Sequence, residues 1–461
     1  MRLAHVILAA GKGTRMKSRL PKVLHPILGK PMILYALETA FKVTPLPPVV
    51  VVGYGNDLVR KVVGERARFV VQKEQRGTAH AVMQAAPLLA NEADVVLVTY
   101  GDMPLLRVET LRRLVQEHAR TQATITMLTA ELDNPRGYGR ILRDATGHVV
   151  GIVEEADATP EQRAIRELNV GVYAFNARWL WENLPRIQPS PVKGEYYLTD
   201  AIALAVEQGL PVSALRLEDP TEVLGVNTRV HLAEVVKALQ HRINTHWMLA
   251  GVTIVDPETA YIGPDVQLAP DVVIHPHVTL LGSTVVGEET EIGPGAYVDS
   301  CTIGRRCRIF YSVLEHATLE DEVDVGPFSH LRKGAYLARG VHIGNFGEVK
   351  NSYLGPGTKM GHFSYIGDAE IGANVNIGAG TITCNYDGRN KHKTVVDDNA
   401  FIGSDTMLVA PVRVGRGAKT GAGSVVTHDI PPHTLAYGVP ARPKRRLDGP
   451  DSEKREEKEG Q

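Results

Sequence analysis

Cysteine is scarce: the 461-residue chain has three, Cys301, Cys307 and Cys384. None lies in a CxxC or other zinc-like spacing, and an odd number excludes a fully paired disulfide framework. Reduced thiols in a cytosolic protein are the expectation. An excess of one charge is also missing, with 51 Lys and Arg against 52 Asp and Glu. A general nucleic-acid or membrane-surface binder would carry a basic excess, so neither is expected as a partner. No stretch approaches the ~20 apolar residues of a membrane span. The apolar run Val6–Ala10 near the start is too short for a signal-peptide core. A cytoplasmic location is therefore expected. What remains is ordinary for a globular protein: 43% apolar and 22% charged residues, enough for a sizeable core. This length suggests two or three domains.

One pattern dominates the second half. From Tyr261, aliphatic residues recur six apart: Ile262, Leu268, Ile274, Leu280, Val286, Ile292 and Val298. The register resumes at Ile303 and Ile309, slips by one around Leu314 and Leu319, and continues from Val325 through Val349. After Leu354, Met360, Ile366, Ile371 and Ile377 it breaks, returning from Val396 to Val426. Such a period is neither helical nor alternating. It suits a parallel β-helix of triangular coils, one hexapeptide per side, each aliphatic residue pointing inward.

The first half reads as α/β. Strand-like runs at Val6–Ala9, Val49–Val52, Val95–Thr99 and Ile125–Leu128 alternate with helix-like stretches at Met32–Phe41, Ala79–Leu89 and Val108–Arg120. This predicts a mainly parallel sheet. The expected division is a domain over 1–228, a linker helix over 229–250, the β-helix over 251–437 and a disordered tail over 438–461.

Chemistry-bearing residues gather in both halves. Gly11 and Gly13 follow the first strand, where their N–H groups can cradle phosphate. The loop lacks the Walker Gly-Lys-Ser/Thr and the third glycine of a dinucleotide fingerprint, so alone it is also compatible with a plain strand–helix turn. Arg15 and Lys22 can neutralise a triphosphate. Asp102 follows the strand Val95–Thr99, at the end where α/β sheets bind ligands, and can either cap a helix or hold magnesium. In the second half, the break between Ile377 and Val396 reads as a protruding loop containing Thr383–Lys393. Lys350, His362, Tyr365 and Asn376 stand just upstream, on coils that stacking can bring together.

The run Leu8–Leu24 resembles the signature of sugar-1-phosphate nucleotidylyltransferases. With Gln72, Gln75–His80, Gly137–Arg140, Glu154, Asn169, Gly194–Tyr197 and Gly225–Asn227, the resemblance narrows to the bacterial bifunctional N-acetylglucosamine-1-phosphate uridylyltransferase/glucosamine-1-phosphate acetyltransferases, over residues 3–437. Gly361–Tyr365, Val375–Thr381 and Cys384–Gly388 look like the acetyltransferase motifs of that family. The resemblance implies a Rossmann-like nucleotidylyltransferase domain followed by a left-handed parallel β-helix of hexapeptide repeats. It implies acetyl transfer from acetyl-CoA, Mg2+-dependent uridylyl transfer from UTP, and a homotrimer. The product would be UDP-N-acetylglucosamine, a precursor of peptidoglycan and lipopolysaccharide.

By that resemblance, Leu8, Ala9, Ala10, Gly11, Gln72, Gly77 and Thr78 would hold the uracil nucleotide, and Tyr100 and Gly101 would line the nucleotide–sugar cleft. Gly139, Glu154 and Asn169 would hold the N-acetylated sugar, while Asp102 and Asn227 would bind magnesium. Arg332, Lys350, Tyr365 and Asn376 would bind the amino-sugar phosphate. His362 would act as general base, a role imidazole suits. Asn385 would orient the reactants, and Ala379, Asn385, Tyr386, Ser404 and Ala422 would line the acetyl-CoA groove. Many relatives carry a basic residue for coenzyme A just after the last coil. Leu435–Pro440 has none here, which leaves Arg442 or Lys444 as substitutes. Two other readings stay open. A single-function nucleotidylyltransferase with a structural β-helix would not need His362 and the Asn385 loop. A non-enzymatic scaffold would not need Gly11, Lys22, Asp102 and Asn227.

Overall fold

Val49–Val52 is four buried valines, and Val95–Tyr100 is buried up to its last residue. Unbroken apolar runs of this kind belong in the middle of a parallel sheet covered on both faces. The computed structural model, which describes residues 1–132, 135, 137–155, 157–190 and 194–447, places them so. Across the sheet the order is Val212–Arg216, Ile125–Glu131, Glu167–Asn176, Val95–Tyr100, Leu3–Ala9, Val49–Val52 and Arg68–Val71. Every neighbouring pair is parallel except that Glu167–Asn176 runs antiparallel to both its neighbours. Gly139–Arg143 and Val149–Val153 form an antiparallel pair attached to this strand, with Asn169 opposite Gly139.

The helices Met32–Val43 and Val108–Thr121 bury Ile33 and Leu37, and Leu111 and Leu114, against the sheet. The expected helix over Ala79–Leu89 is two pieces, Thr78–Met83 and Ala86–Leu89. Pro87 is the cause: it has no N–H for the Met83 carbonyl, and its ring crowds that carbonyl.

The second half is a left-handed parallel β-helix. Its three faces are sheets in which each strand pairs with the third strand after it, over ten, ten and nine strands, and a terminal hairpin brings the first face to twelve. The aliphatic row points inward as expected, from Ile262 and Ile292 at 0% exposure to Val426 at 1%. Corners recur at the same period, and many carry a non-glycine residue at positive φ, including Asp271, His277, Glu322, Phe328 and Asn374. The predicted break after Ile377 starts later than expected. Thr383 takes the inward position between Ile366 and Leu408, and its hydroxyl is satisfied by Gly367 N–H at 2.7 Å and Gly367 O at 3.0 Å. Hydroxyl replaced aliphatic at one inward site, so the hydrophobic pattern lapsed one side before the coil did.

Both ends of the prism are covered. The helix Arg229–Leu249 holds the division between the chain's two compact units, Met1–Leu239 and Gln240–Gln461. Its second half closes the first coil: buried Gln240 donates to Pro257, Glu258 and Ala260 carbonyls, and buried Asn244 to those of Pro257 and Ala260. At the other end, Thr434–Gly438 and Ala441–Arg446 form a hairpin on the last coil. This corrects the expected disorder of 438–461 as far as Arg446. Ala436 fills the inward position at 0% exposure, and the returning strand pairs an edge that would otherwise be open. The rest of that expectation, over 448–461, lies outside the described residues.

Candidate active sites

In the first unit, the carboxyl ends of Leu3–Ala9 and Val95–Tyr100 open into a cleft of about 680 Å3. Gly11 faces open space, where a ligand can approach the backbone. Gly13 has φ +60°, and a Cβ there would meet Lys22 Cβ at 2.7 Å, so the lysine can fold in under the loop only beside a glycine. Lys22 Nζ donates to Asp102 Oδ2 and, at 3.3 Å, to Asn227 Oδ1. Arg15 donates to the same Asn227 oxygen at 3.0 Å. Asn227 arrives because Val226 N–H bonds the Asp102 carbonyl at 3.0 Å. Two hard oxygens, Asp102 Oδ2 and Asn227 Oδ1, thus converge on one cationic point.

Gln72 is buried, and its amide N–H groups go to Gly77 O and His80 Nδ1, both at 3.0 Å, which turns its carbonyl oxygen elsewhere. Thr78 Oγ1 accepts from Leu198 N–H, tying the Gly77–Thr78 turn to the Glu195–Thr199 segment. Glu154 accepts from Thr199 Oγ1 at 3.2 Å. Burial, with Asp102 and Glu154 nearby, raises the Tyr100 phenol well above its ordinary range. Burial and then Glu154 likewise raise the Asp200 carboxyl.

The cleft wall includes every predicted first-unit residue except one: Leu8, Ala9, Ala10, Gly11, Arg15, Lys22, Gln72, Gly77, Thr78, Tyr100, Asp102, Gly139, Glu154, Asn169 and Asn227. Gly101 is the exception. A Cβ on it would strike Ile33 Cδ1 at 2.7 Å, so it serves helix packing behind the cleft. Sequence reasoning missed Tyr138, Tyr173, Glu195, Tyr197 and Thr199 as wall residues. The motif Gly194–Tyr197 was a signal for two of them. Nothing in the spacing marked Tyr173.

The second unit gathers its candidates around one edge of the prism. Met360, Ile377, Ile402 and Thr420 stack in successive coils, so His362, Ala379, Ser404 and Ala422 occupy the same corner position one above another. Asn376 is on the face leading into that corner, paired with Lys359 and Phe401. Tyr365, Lys350 and Arg332 are on the face leading out of it. There Glu348 pairs with Tyr365 and Lys350 with Gly367, while Arg332 Nη1 donates to Glu348 at 2.8 Å. His362 is exposed.

The inserted loop is ordered. Asp387 accepts from Arg389 and Asn390 N–H at 2.7 Å and from His392 Nε2 at 2.6 Å. Tyr386 bridges Lys391 and is 61% exposed. Asn385 Nδ2 reaches Asp368 Oδ2 and, at 3.5 Å, Tyr365 OH. The loop also brings a residue the sequence reading passed over: Lys391 lies against Lys350, whose pKa is lowered by Lys391 first and then by Arg332. The three cations, two of them also facing Glu348 and Asp368, could together attract a doubly charged anion. Burial raises the Cys384 thiol, which keeps it protonated and a poor nucleophile.

Comparisons with known proteins agree across both units. Residues 5–169 match the family model of the MobA-like NTP transferase domain. The chain is 49% identical over 431 residues to the bifunctional protein GlmU of Carboxydothermus hydrogenoformans, covering 94% of this chain and 96% of that one. The GlmU proteins of Heliobacterium modesticaldum and Pelobacter propionicus are both 48% identical, over 94% of this chain and 94% and 95% of theirs.

Proposed function

The chain belongs to the family of bifunctional GlmU proteins, and from that footing we propose how its two sites divide the synthesis of UDP-N-acetylglucosamine. The β-helix edge acetylates glucosamine 1-phosphate from acetyl-CoA. The first-unit cleft then joins N-acetylglucosamine 1-phosphate to the uridylyl group of UTP and releases pyrophosphate.

Uridylyl transfer needs no strong base, because the sugar phosphate is already an anion. Its oxygen attacks the α-phosphorus of UTP, and the bond to the pyrophosphate oxygen breaks. The chain's task is alignment and neutralisation of crowded negative charge. Gly11 N–H, Arg15 and Lys22 contact the phosphates, while Gln72, Gly77 and Thr78 hold the nucleotide. Gly139, Glu154 and Asn169 hold the sugar. The convergent oxygens of Asp102 and Asn227 fit Mg2+, which often takes only one or two protein oxygens. When bound, that ion would neutralise phosphate charge.

Acetyl transfer needs a neutral amine. His362 takes the ammonium proton, and the freed nitrogen attacks the thioester carbonyl. A backbone N–H at the corner stabilises the oxyanion; the carbon–sulfur bond then breaks, and the proton the nitrogen sheds goes to the thiolate, so that coenzyme A leaves as thiol. Arg332, Lys350 and Lys391 hold the sugar phosphate, with Tyr365, Asn376 and Asn385 placing the ring. Ala379, Tyr386, Ser404 and Ala422 line the groove for coenzyme A. The observation that carries this reading is the single corner shared by His362, Ala379, Ser404 and Ala422 beside the triple-cation cluster. A purely structural β-helix gives no reason for it.

The test is to incubate the protein with glucosamine 1-phosphate, acetyl-CoA, UTP and Mg2+ and detect the nucleotide sugar by mass. Omitting acetyl-CoA should abolish the N-acetylated product. Supplying N-acetylglucosamine 1-phosphate should restore it. Product that never needs acetyl-CoA, starting from the amino sugar, would overturn the assignment.

A further inference from the structure

Asn169 is 8% exposed and lines the cleft, yet its amide has an asymmetric set of partners. Its Oδ1 accepts two hydrogen bonds, from Gly171 N–H at 3.1 Å and from Tyr173 OH at 3.0 Å. A backbone N–H can only donate, so the atom facing Gly171 must be the amide oxygen and not its nitrogen. The Nδ2 group has no protein partner among the described residues and faces the cleft. The strand is built to make this arrangement. Its register against Ile125–Glu131 shifts between Asn169 and Tyr173, an irregularity across which Gly171 N–H and Tyr173 OH both reach the asparagine. Gly171, at φ +84°, lies against Tyr100, whose Cε2 a Cβ would meet at 2.8 Å. Tyr173 itself is 1% exposed, held in the core with its ring 5.4 Å from that of Phe175. Burial keeps its phenol protonated, hence a donor.

We propose that Tyr173 is a positioning residue of the uridylyl-transfer site: by donating to Asn169 Oδ1 it locks the amide so that Nδ2 presents an N–H to an oxygen acceptor of the bound sugar. The proposal rests on the reading that Asn169 touches the sugar. It implies a division of labour in the pocket, with Asn169 the donor and Glu154 the acceptor. A sugar lacking the oxygen that Asn169 meets would leave that amide unpaired.

The experiment uses the full chain, with KM measured for N-acetylglucosamine 1-phosphate at saturating UTP and for UTP at saturating sugar phosphate. Tyr173→Phe should raise the sugar KM about 5–10-fold, the scale of one hydrogen bond, and leave the UTP KM unchanged. Asn169→Ala should raise the sugar KM at least as much, and adding Tyr173→Phe to it should change the value less than about 2-fold. Asn169→Asp keeps the shape but replaces the donors by an acceptor, so it too should raise the sugar KM. An unchanged sugar KM in Asn169→Ala would remove Asn169 from the sugar site, and the premise with it. With Asn169→Ala impaired, an unaffected Tyr173→Phe, equal rises in both KM values, or additive effects would each overturn the positioning role. Normal sugar affinity in Asn169→Asp would overturn the donor orientation even if Tyr173→Phe failed to fold.

Discussion

Asp102 stands just beyond a strand buried up to its last residue, with Lys22 and Asn227 against it, and His362 stands on a prism corner in the other unit. Each can therefore be removed without touching the other's chemistry. If Asp102 holds the proposed ion, Asp102→Ala removes its anchor, and pyrophosphate release should fall by about 10²–10³ while acetyl transfer persists. Coupled assays of both products decide this, and normal uridylyl transfer would sink the metal assignment. His362→Ala should lower thiol release from acetyl-CoA by about 10²–10⁴ with uridylyl transfer intact. Cys384→Ala should be active, since its thiol is held protonated by burial. The opposite pattern would mean an acyl-enzyme. A fourth residue sets a pH dependence of stability. His5 is buried, bonded to Thr99 Oγ1 at 2.8 Å, and burial lowers its pKa to about 3. The unfolded chain, with an ordinary histidine near 6.5, takes up the proton first. This contribution is thus fully present above about pH 6.5 and is lost as the pH falls toward 3, by about 2 kcal/mol at pH 5. Urea unfolding followed by tryptophan fluorescence, with Trp179 and Trp181 in this unit, should show that acid slope flattened in His5→Gln.

The helix Arg229–Leu249 runs where a linker helix is expected, and it makes contacts at both of its ends. Its first residue reaches back to the nucleotide loop, where Arg229 Nε donates to the Met16 carbonyl and Nη1 meets His25 Nδ1, both at 3.3 Å. A fragment cut before Arg229 therefore loses one bond to the turn carrying Arg15, at Met16, and one to His25, which ends the turn carrying Lys22. A fragment of residues 1–239 should retain uridylyl transfer, and one of residues 1–228 should be weaker by about 30-fold, given roughly 1 kcal/mol for each of the two hydrogen bonds. Equal activity of the two would show that the helix does not support the loop. The β-helix strands make a contrast. They are two to four residues long along the coils and have no stability alone; each exists because the coil below offers a row of N–H and C=O groups.

For the assembly, three triangular prisms can pack about a threefold axis with closed symmetry, and that is the expected state here. The reason lies in the acetyl-transfer edge. His362 and Tyr386 are exposed, and a prism corner is convex, whereas a pantetheine arm needs a groove. A neighbouring copy would supply the second wall. Light scattering should give a trimer mass, and dilution should erase acetyl transfer before uridylyl transfer. A stable monomer with full acetyl-transfer activity would rule out the shared groove.

Periodicity made much of this legible in advance. A six-residue aliphatic row admits few folds, because only a coil of short sides returns each apolar residue to one interior. The valine runs likewise announce a sheet buried on both faces. The glycine loop, Lys22 and Asp102 could be named because their chemistry is carried by residue type and by position relative to a strand end. Other facts are long-range and had no local sign. Thr383 fills an inward position that the hydrophobic pattern reads as a gap. Gly101 turns its back on the cleft because Ile33 lies behind it. Lys391 meets Lys350 only because the loop doubles back through Asp387. The lock on Asn169 needs a register shift between strands that one strand's own residues do not encode. Local sequence determines which faces must be buried and where backbone can bend. Which side chains then share a hydrogen bond is decided by registers and crossings between distant segments, and those exist only once the chain is folded.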